Sequence, residues 1–167
     1  MLIDRYAKTF ETEYHQFLLD PDCTHEVING QFPEFPLAIF ADETVRVQVG
    51  TRAGPVAVEV EVHDSSPQYN DAGWEDAAEG DLIYDREIGV AVWALWNGVF
   101  EQVIPADETQ KLTPPGAHRY RVRIYARGKG IAWDGPVSGE PVEDYLVQMW
   151  PSATPQPARQ TKHLSGL

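Results

Sequence analysis

The chain has 167 residues with 26 acidic and 13 basic side chains, so its formal net charge is −13. A charge of this sign and size repels nucleic-acid phosphates and anionic membranes, so the expected partner is a basic protein. The single cysteine, Cys23, excludes an internal disulfide bond and a zinc site of the paired-cysteine type. No apolar run is long enough to cross a membrane, and residues 1–8 lack the apolar segment of a secretory signal, which predicts a cytoplasmic protein.

Short alternating apolar segments, separated by turns that contain glycine and proline, follow one another along the chain. This pattern predicts strands and no amphipathic helix. The predicted strands are 13–19, 37–40, 45–49, 56–62, 89–96, 99–104, 109–112, 118–126 and 143–150. Eight or nine such strands predict an all-β fold, a single-domain antiparallel β-sandwich of two packed sheets that occupies residues 1–150.

Two turns predict which strands are neighbours. Residues 51–55, Thr-Arg-Ala-Gly-Pro, predict a hairpin between the two valine-rich strands that flank them. Asn97 and Gly98 form the dipeptide that most strongly favours a hairpin, and they predict pairing of the strands on either side. The strand before Asn97 is apolar on both faces, so it is predicted to be covered on both sides, with Trp93 and Trp96 in the core.

Acidic residues are distributed unevenly along the sequence. Residues 71–87 contain seven acids and one arginine, which gives a net charge of −6. Residues 65–81 are polar and rich in turn residues, and they predict a long acidic loop. Residues 151–167 contain three prolines and few apolar side chains, and they predict a flexible tail.

The acidic loop is the predicted partner-binding surface. Its carboxylates attract a basic protein, and an aromatic side chain among them supplies the large contact residue that interfaces favour. The residues expected to make the contact are Asp71, Trp74, Glu75, Asp76, Glu79 and Asp81.

A stripe of basic residues lies further along the chain. The alternation of the strand 118–126 directs its apolar residues inward and its arginines outward. The outward arginines are Arg119, Arg121, Arg123 and Arg127. Two interpretations of the stripe stay open, namely cross-strand pairs with acids such as Glu59 and Glu61, or free cations.

Sequence patterns typical of catalytic sites are absent, so neither an enzyme nor a cofactor is expected. The chain contains no glycine-rich phosphate loop, no nucleophile elbow and no zinc-protease motif. Asp20, Asp22 and His25 lie within one short segment, which we interpret as a solvated turn and not as a metal site. Cys23 lies in the same turn with no base beside it and is interpreted as an unreactive thiol.

Two tryptophans favour an alternative function. Trp74 and Trp133 lie in predicted loops beside acidic residues, an arrangement in which exposed indoles stack on sugars or small ligands. The sequence therefore also supports a carbohydrate- or small-ligand-binding β-sandwich, with Trp74 and Trp133 as its ligand-binding residues.

Several short motifs resemble a known protein family. Tyr14-His-Gln-Phe17 resembles the Y-H-Q-F near the start of the competence-associated DNA-entry nuclease inhibitors. Pro36-Leu-Ala-Ile-Phe-Ala41 then precedes a two-strand apolar unit, and the Asn-Gly hairpin follows. The same order continues through Leu112-Thr-Pro-Pro-Gly116, a strand with Tyr120, and Asp144-Tyr-Leu-Val147, so the resemblance covers most of residues 13–150.

This resemblance implies a small acidic cytoplasmic protein that binds and silences a nuclease. The surfaces with which nucleases hold DNA are positive, and an acidic inhibitor is suited to occupy them. The chain departs from the family pattern in residues 65–81 and in its proline-rich tail, and no inhibitory residue is transferred individually. An immunity protein against another toxin is the neighbouring interpretation, since it relies on the same electrostatics.

Overall fold

The computed structural model describes residues 1–23 and 36–167, and within them the chain forms eleven strands and no helix. The strands are β1 (Leu2–Glu13), β2 (Gln16–Asp20), β3 (Ala38–Ala41), β4 (Thr44–Gln48), β5 (Ala53–His63), β6 (Asp76–Arg86), β7 (Ala91–Trp96), β8 (Val99–Ile104), β9 (Gly116–Arg127), β10 (Asp144–Pro151) and β11 (Arg159–His163). Accordingly, the described ranges contain no helix with the length and apolarity of a membrane span.

Two sheets pack against each other. The larger has the strand order β1-β5-β10-β9-β6-β11, and the smaller has the order β3-β4-β2-β7-β8. All neighbouring strands are antiparallel except β5 and β10, which are parallel. The predicted all-β sandwich is confirmed, with eleven strands instead of eight or nine and with one parallel pair.

The core lies between the sheets and is built on the alternation predicted for β5 and β9. Val56, Val58, Val60 and Val62 point inward from β5, and each is at most 5% exposed. Tyr120, Val122, Ile124 and Ala126 belong to the same core from β9. Burial of each large aliphatic side chain contributes about 1.5–3 kcal/mol, which places these strands at the centre of the fold.

The hairpin predicted between β4 and β5 is wrong, because the two strands lie in different sheets. The backbone crosses between the sheets at Gly50 and Thr51, whose N–H groups donate to the carboxylate of Glu143 at 2.6 and 2.7 Å. Gly50 also lies against another segment, where an added Cβ would be 2.2 Å from the carbonyl oxygen of Lys129. These contacts fix the backbone where it passes from one sheet to the other, so β5 does not fold back beside β4.

The hairpin predicted at Asn97 and Gly98 is confirmed, since β7 pairs antiparallel with β8. Both turn residues have positive φ, 52° and 78°, as a type I′ turn requires. Trp93 is half-buried and donates its Nε1 hydrogen to the carbonyl oxygen of Asp20 at 2.8 Å. Trp96 is 38% exposed beside the turn, so its prediction as a core residue is wrong.

The predicted strand 109–112 is absent, and its residues belong to a loop. The buried side-chain amide of Gln102 donates to the carbonyl oxygens of Pro105, Asp107 and Gln110 at 3.0, 3.3 and 3.0 Å. Because one side chain satisfies three backbone acceptors, the segment curls around Gln102 and does not join a sheet.

The predicted strand 13–19 is divided between two sheets. Tyr14 and His15 have φ values of 57° and 59°, which end β1 and turn the chain into β2. Most of β1 has no predicted counterpart, because charged residues occur on both of its faces. This strand forms one edge of the larger sheet.

Two further strands come from segments that the sequence indicates as irregular. The last six residues of the predicted acidic loop 65–81 belong to β6, so the loop proper ends at Glu75. Within the predicted flexible tail, β11 pairs antiparallel with β6. The tail therefore contributes an edge strand to the larger sheet.

Candidate functional site

The six residues predicted to bind a partner are divided between a loop and a strand. Asp71, Trp74 and Glu75 lie in the loop and are partly exposed. Asp76, Glu79 and Asp81 lie in β6. The two groups have different surroundings, so the predicted surface is not one continuous patch.

Glu79 is buried between two arginines of β9. Its carboxylate accepts hydrogen bonds from Nε of Arg121 at 3.0 Å and from Nε of Arg123 at 2.8 Å. All three side chains are at most 6% exposed. Burial alone would raise the pKa of Glu79, but the hydrogen bonds from Arg123 and Arg121 outweigh it and hold the pKa below its usual value.

Asp81 and Asp76 are also engaged. Asp81 accepts from Nη1 of Arg121 at 2.9 Å and from Nη1 of Arg119 at 3.2 Å. Asp76 is 1% exposed and accepts from the backbone N–H and the hydroxyl of Ser165 at 3.1 and 2.5 Å. The prediction that Asp76 and Glu79 contact a partner is therefore wrong, because neither side chain reaches the surface, and Asp81 is held in ion pairs.

The arginine stripe is paired, but its main partners differ from the predicted acids. Glu59 lies 2.5 Å from Arg5 of β1 instead. Glu61 reaches the stripe only through Gln148, which donates to Glu61 at 2.8 Å and accepts from Arg123 at 3.3 Å. The main partners are Glu79 and Asp81, which the sequence predicts to lie in a loop. The sequence alone therefore does not indicate that they pair with the arginines of β9.

These contacts belong to one row of register positions that crosses all six strands of the larger sheet. Glu79 is opposite Arg159 and Arg123, Arg123 is opposite Gln148, and the row continues to β5 and β1. The complete row, from β11 to β1, is Arg159, Glu79, Arg123, Gln148, Glu61 and Arg5. The charges alternate in sign along it, and the neutral Gln148 joins Arg123 to Glu61 by hydrogen bonds.

The middle of this row is covered by the loop before β6 and by the C-terminal segment. Arg123 donates to the carbonyl oxygen of Pro67 at 3.1 Å and lies over the rings of Tyr69 and Trp150. Arg121 donates to the carbonyl oxygens of Gln156 and Pro157 at 3.0 and 3.1 Å. Arg121 and Arg123 are therefore internal structural residues and are not available to a ligand, whereas Arg119 and Arg127 at the ends of the stripe remain partly exposed.

A cleft of about 350 Å³ opens on the same sheet beside Trp74. Its residues follow a second register row, in which Arg127 is opposite Asp144, Asp144 opposite Ala57, and Ala57 opposite Thr9. The small side chains of Ala57, Thr9 and Ala7 form its floor, with Glu59 at the side. Because these side chains are small, they leave the space beside Trp74 open.

Trp74 and Arg127 form one wall of the cleft. The Arg127 guanidinium lies 4.7 Å from the centre of the Trp74 ring and donates from Nε to Asp144 at 3.0 Å. The backbone N–H of Glu75 donates to the carbonyl oxygen of Ala126 at 2.9 Å, which sets Trp74 beside Arg127. Arg127 and Asp144 are both about half-exposed, so both charges face solvent at the cleft mouth.

Trp133, the second ligand-binding candidate, does not line this cleft. It is 40% exposed, and its ring lies 5.5 Å from that of His15. His15 is held between the carbonyl oxygen of Val49 at 3.0 Å and the carboxylate of Asp134 at 2.8 Å. Trp74 borders the cleft and Trp133 does not, so the two tryptophans belong to separate surfaces.

The described part of the turn around Cys23 is not solvated as predicted, since Asp20 is 1% exposed and Asp22 is partly buried. Asp20 accepts from the backbone N–H groups of Asp22 and Cys23 at 3.1 and 2.8 Å. Burial, assisted by the charges of Asp20 and Asp22, raises the pKa of Cys23 to about 12. His25 lies outside the described residues, and the described part of the chain contains no group of three or more residues suited to hold a metal ion.

A second buried polar cluster surrounds Glu143, and no sequence pattern predicts it. Glu143 is 1% exposed and, besides Gly50 and Thr51, accepts from the hydroxyl of Tyr145 at 2.6 Å. Lys129 is equally buried; desolvation lowers its pKa, against the opposing charges of Asp76 and Glu143. This cluster links the strand crossing to β10, and we assign it a structural role.

No protein-family model matches the sequence, and no curated protein matches it. Among solved structures, ComJ from Bacillus subtilis, described as an inhibitor of the DNA degrading activity of NucA, aligns with 91% of this chain and 99% of its own, at 13% identity and a TM-score of 0.58. The fold is ComJ-like.

A second structure, described as crocagin biosynthetic gene J, aligns with 89% of this chain and 97% of its own, at 14% identity and a TM-score of 0.55. At these identities the comparisons show a common fold. They assign no role to an individual side chain.

Proposed function

We propose that this protein is a cytoplasmic binding protein that inhibits a nuclease or another basic protein. The observation that carries the proposal is the fold shared with ComJ, an inhibitor of the DNA degrading activity of NucA, over 91% of this chain. The net charge of −13 supports it, because an acidic protein complements the cationic surface with which a nuclease holds DNA. The proposal requires no catalytic group.

We place the contact surface around the Trp74 cleft. Asp71, Trp74 and Glu75 are the members of the predicted surface that remain partly exposed outside the strand, and Asp144 adds a carboxylate at the cleft mouth. An indole beside carboxylates suits an arginine or lysine side chain, which gains a cation–π contact and an ion pair in one position. This arrangement supports a basic partner.

The test uses DNA degradation by an extract of the native host. Addition of the purified protein is expected to reduce the nuclease activity, and Trp74→Ala is expected to weaken inhibition at least tenfold, since a central aromatic contact contributes about 2 kcal/mol or more. Trp133→Ala is the matched control, because it removes a partly exposed tryptophan that lies outside the cleft. It should inhibit as the wild type does.

Absence of inhibition by the folded wild-type protein would contradict the proposed function. Equal inhibition by Trp74→Ala and the wild type would leave an inhibitor but refute this contact surface. Where inhibition is found, the rate at which the protein associates with the nuclease should fall steeply as the salt concentration rises. Salt has this effect because exposed charges are screened beyond about 8–10 Å at physiological ionic strength.

The cleft also supports the small-ligand alternative, since its wall is a partly exposed indole beside a carboxylate. A neutral oligosaccharide that stacks on Trp74 should change the tryptophan fluorescence of the wild type. The same titration of Trp74→Ala should give no change. A response in the wild type combined with no nuclease inhibition would favour this second function over the first.

A further inference from the structure

Strand β1 presents an open edge on one side of the sandwich. It pairs with β5 along one side only, and no described strand pairs with the other. Its first eight residues are exposed except Tyr6, which is partly buried, whereas Phe10 and Thr12 are buried. A long exposed edge strand carries unpaired backbone donors and acceptors and is a template for another strand.

The exposed part of this edge has a sequence that complements itself. Two antiparallel copies related by a two-fold axis at Tyr6 place residues opposite each other when their numbers add up to 12. Asp4 of each copy is then opposite Lys8 of the other, which forms two ion pairs across the axis. Ile3 and Thr9 are opposite each other in the same register, so the paired stretch consists of the exposed residues 3–9.

Other registers lack this match. An axis at Arg5 would place Asp4 opposite Tyr6, and Lys8 opposite Leu2, so neither charge would meet its complement. An axis at Lys8 would place Asp4 opposite Thr12, which is buried within its own sandwich. The axis at Tyr6 therefore combines exposure with charge complementarity.

We propose that two copies of this chain associate through β1, in antiparallel register about Tyr6, to form one continuous sheet of twelve strands. A further contribution comes from the exposed apolar residues at the start of β1, where Leu2 is 42% and Ile3 is 57% exposed. In the dimer both lie against the second copy. The register shift between Leu2 and Asp4 marks an irregularity of β1 at the outer end of the proposed paired stretch.

The dimer would bring two clefts together. Ala7, Lys8 and Thr9 of β1 line the Trp74 cleft, so the clefts of the two copies would lie on either side of the axis, with a shared floor. The second copy thus extends the concave surface beyond the edge of one sandwich. This inference does not depend on the proposed function, because dimerisation is measurable without any partner.

The test is the molar mass of the intact protein by sedimentation equilibrium over a range of concentrations. The wild type is expected to form dimers, and Lys8→Asp or Asp4→Lys alone is expected to weaken dimerisation about tenfold or more, since each places like charges opposite each other twice. An equimolar mixture of the two variants should restore the dimer, because the lysines of one then face the aspartates of the other. The double variant Asp4→Lys/Lys8→Asp should also restore it.

Glu87→Lys is the matched control, because Glu87 is exposed and lies in the connection between β6 and β7. It should leave the dimer unchanged. A wild type that is monomeric throughout, or a dimer that Lys8→Asp leaves intact, would overturn the inference. Tyr6→Cys in a Cys23→Ser background gives a second measurement: the axis predicts a disulfide between the two copies, whereas Glu11→Cys in the same background should form none.

Discussion

The carboxylate of Glu79 lies 2.8 Å from Nε of Arg123, and neither side chain is more than 6% exposed. The two arginine donors compensate the carboxylate for its loss of hydration. A buried charge whose partner is removed would instead lower the stability of the fold. The pair therefore ties β6 to β9 on the side of the sheet that faces away from the core. This pairing explains why the acidic segment 76–81 forms part of a strand and not a loop.

Replacement of Glu79 should destabilise the protein strongly. Glu79→Gln leaves Arg121 and Arg123 buried without their shared counter-charge, and we expect the free energy of unfolding to fall by about 3–5 kcal/mol. Urea denaturation followed by circular dichroism measures this. Glu87→Gln, which neutralises an exposed acid, should change stability by less than about 0.5 kcal/mol. Similar small effects of both variants would show that the Glu79 cluster contributes little.

Acidification should remove the contribution of Glu79. Its pKa is lowered in the folded protein, so its stabilisation is complete above the unfolded pKa, about 4.3–4.5, and is lost as the pH falls through the folded pKa. We therefore expect the stability difference between the wild type and Glu79→Gln to be constant from pH 7 to pH 5. It should shrink below pH 4.5. A difference that grows with acidification would contradict this sign.

Removal of the C-terminal segment should expose the same cluster. Deletion of residues 152–167 removes the carbonyl acceptors of Arg121 at Gln156 and Pro157, and it removes Ser165 from Asp76. We expect a loss of about 2–4 kcal/mol, since hydrogen bonds to charged groups contribute about 1.5–3 kcal/mol each and water replaces part of them. Deletion of residues 166–167 alone keeps these contacts and serves as the control in the same thermal melts.

Gly80 marks the place where the two sheets approach each other closely. A Cβ at this position would lie 2.3 Å from Cγ of Phe40, so Gly80→Ala forces the Phe40 ring to move. We expect a destabilisation of about 1–3 kcal/mol. In the double variant with Phe40→Leu, part of the loss should be recovered.

Gly130→Ala provides the matched control for this substitution. There the nearest atom to an added Cβ is Cδ1 of Leu167 at 3.6 Å, an ordinary contact. Its melting temperature should remain close to that of the wild type. Equal losses at both glycines would show that the Phe40 contact is not the cause.

The predictable part of the fold is the part that alternates strongly. In β5 and β9 large apolar residues occupy every second position, so both strands and their inward faces follow from the sequence. β6 alternates as well, but its inward positions include the small residues Ala78 and Gly80, which give a weak apolar signal. Its outward Glu79 and Asp81 then favour a loop, because the sequence does not show their arginine partners.

The candidate site was only partly predictable for a related reason. Trp74 was identified from the sequence as a contact residue, but Arg127 and Asp144 beside it were not. These three residues meet because of the register between strands that are far apart in sequence, together with one backbone hydrogen bond from Glu75. Register depends on the packing of the whole sheet, and a local pattern does not contain it.

The buried cluster of Glu79, Arg121 and Arg123 also constrains how this sequence changes during evolution. A descendant that lost the carboxylate would keep two desolvated guanidinium groups, so the arginines at 121 and 123 should be replaced in the same lineages by neutral or apolar residues. Relatives should therefore carry either the whole charged set or none of it. Asp71 is partly exposed and lies outside that cluster, so it can change independently of the arginines, and recognition of a new partner can evolve without loss of the fold.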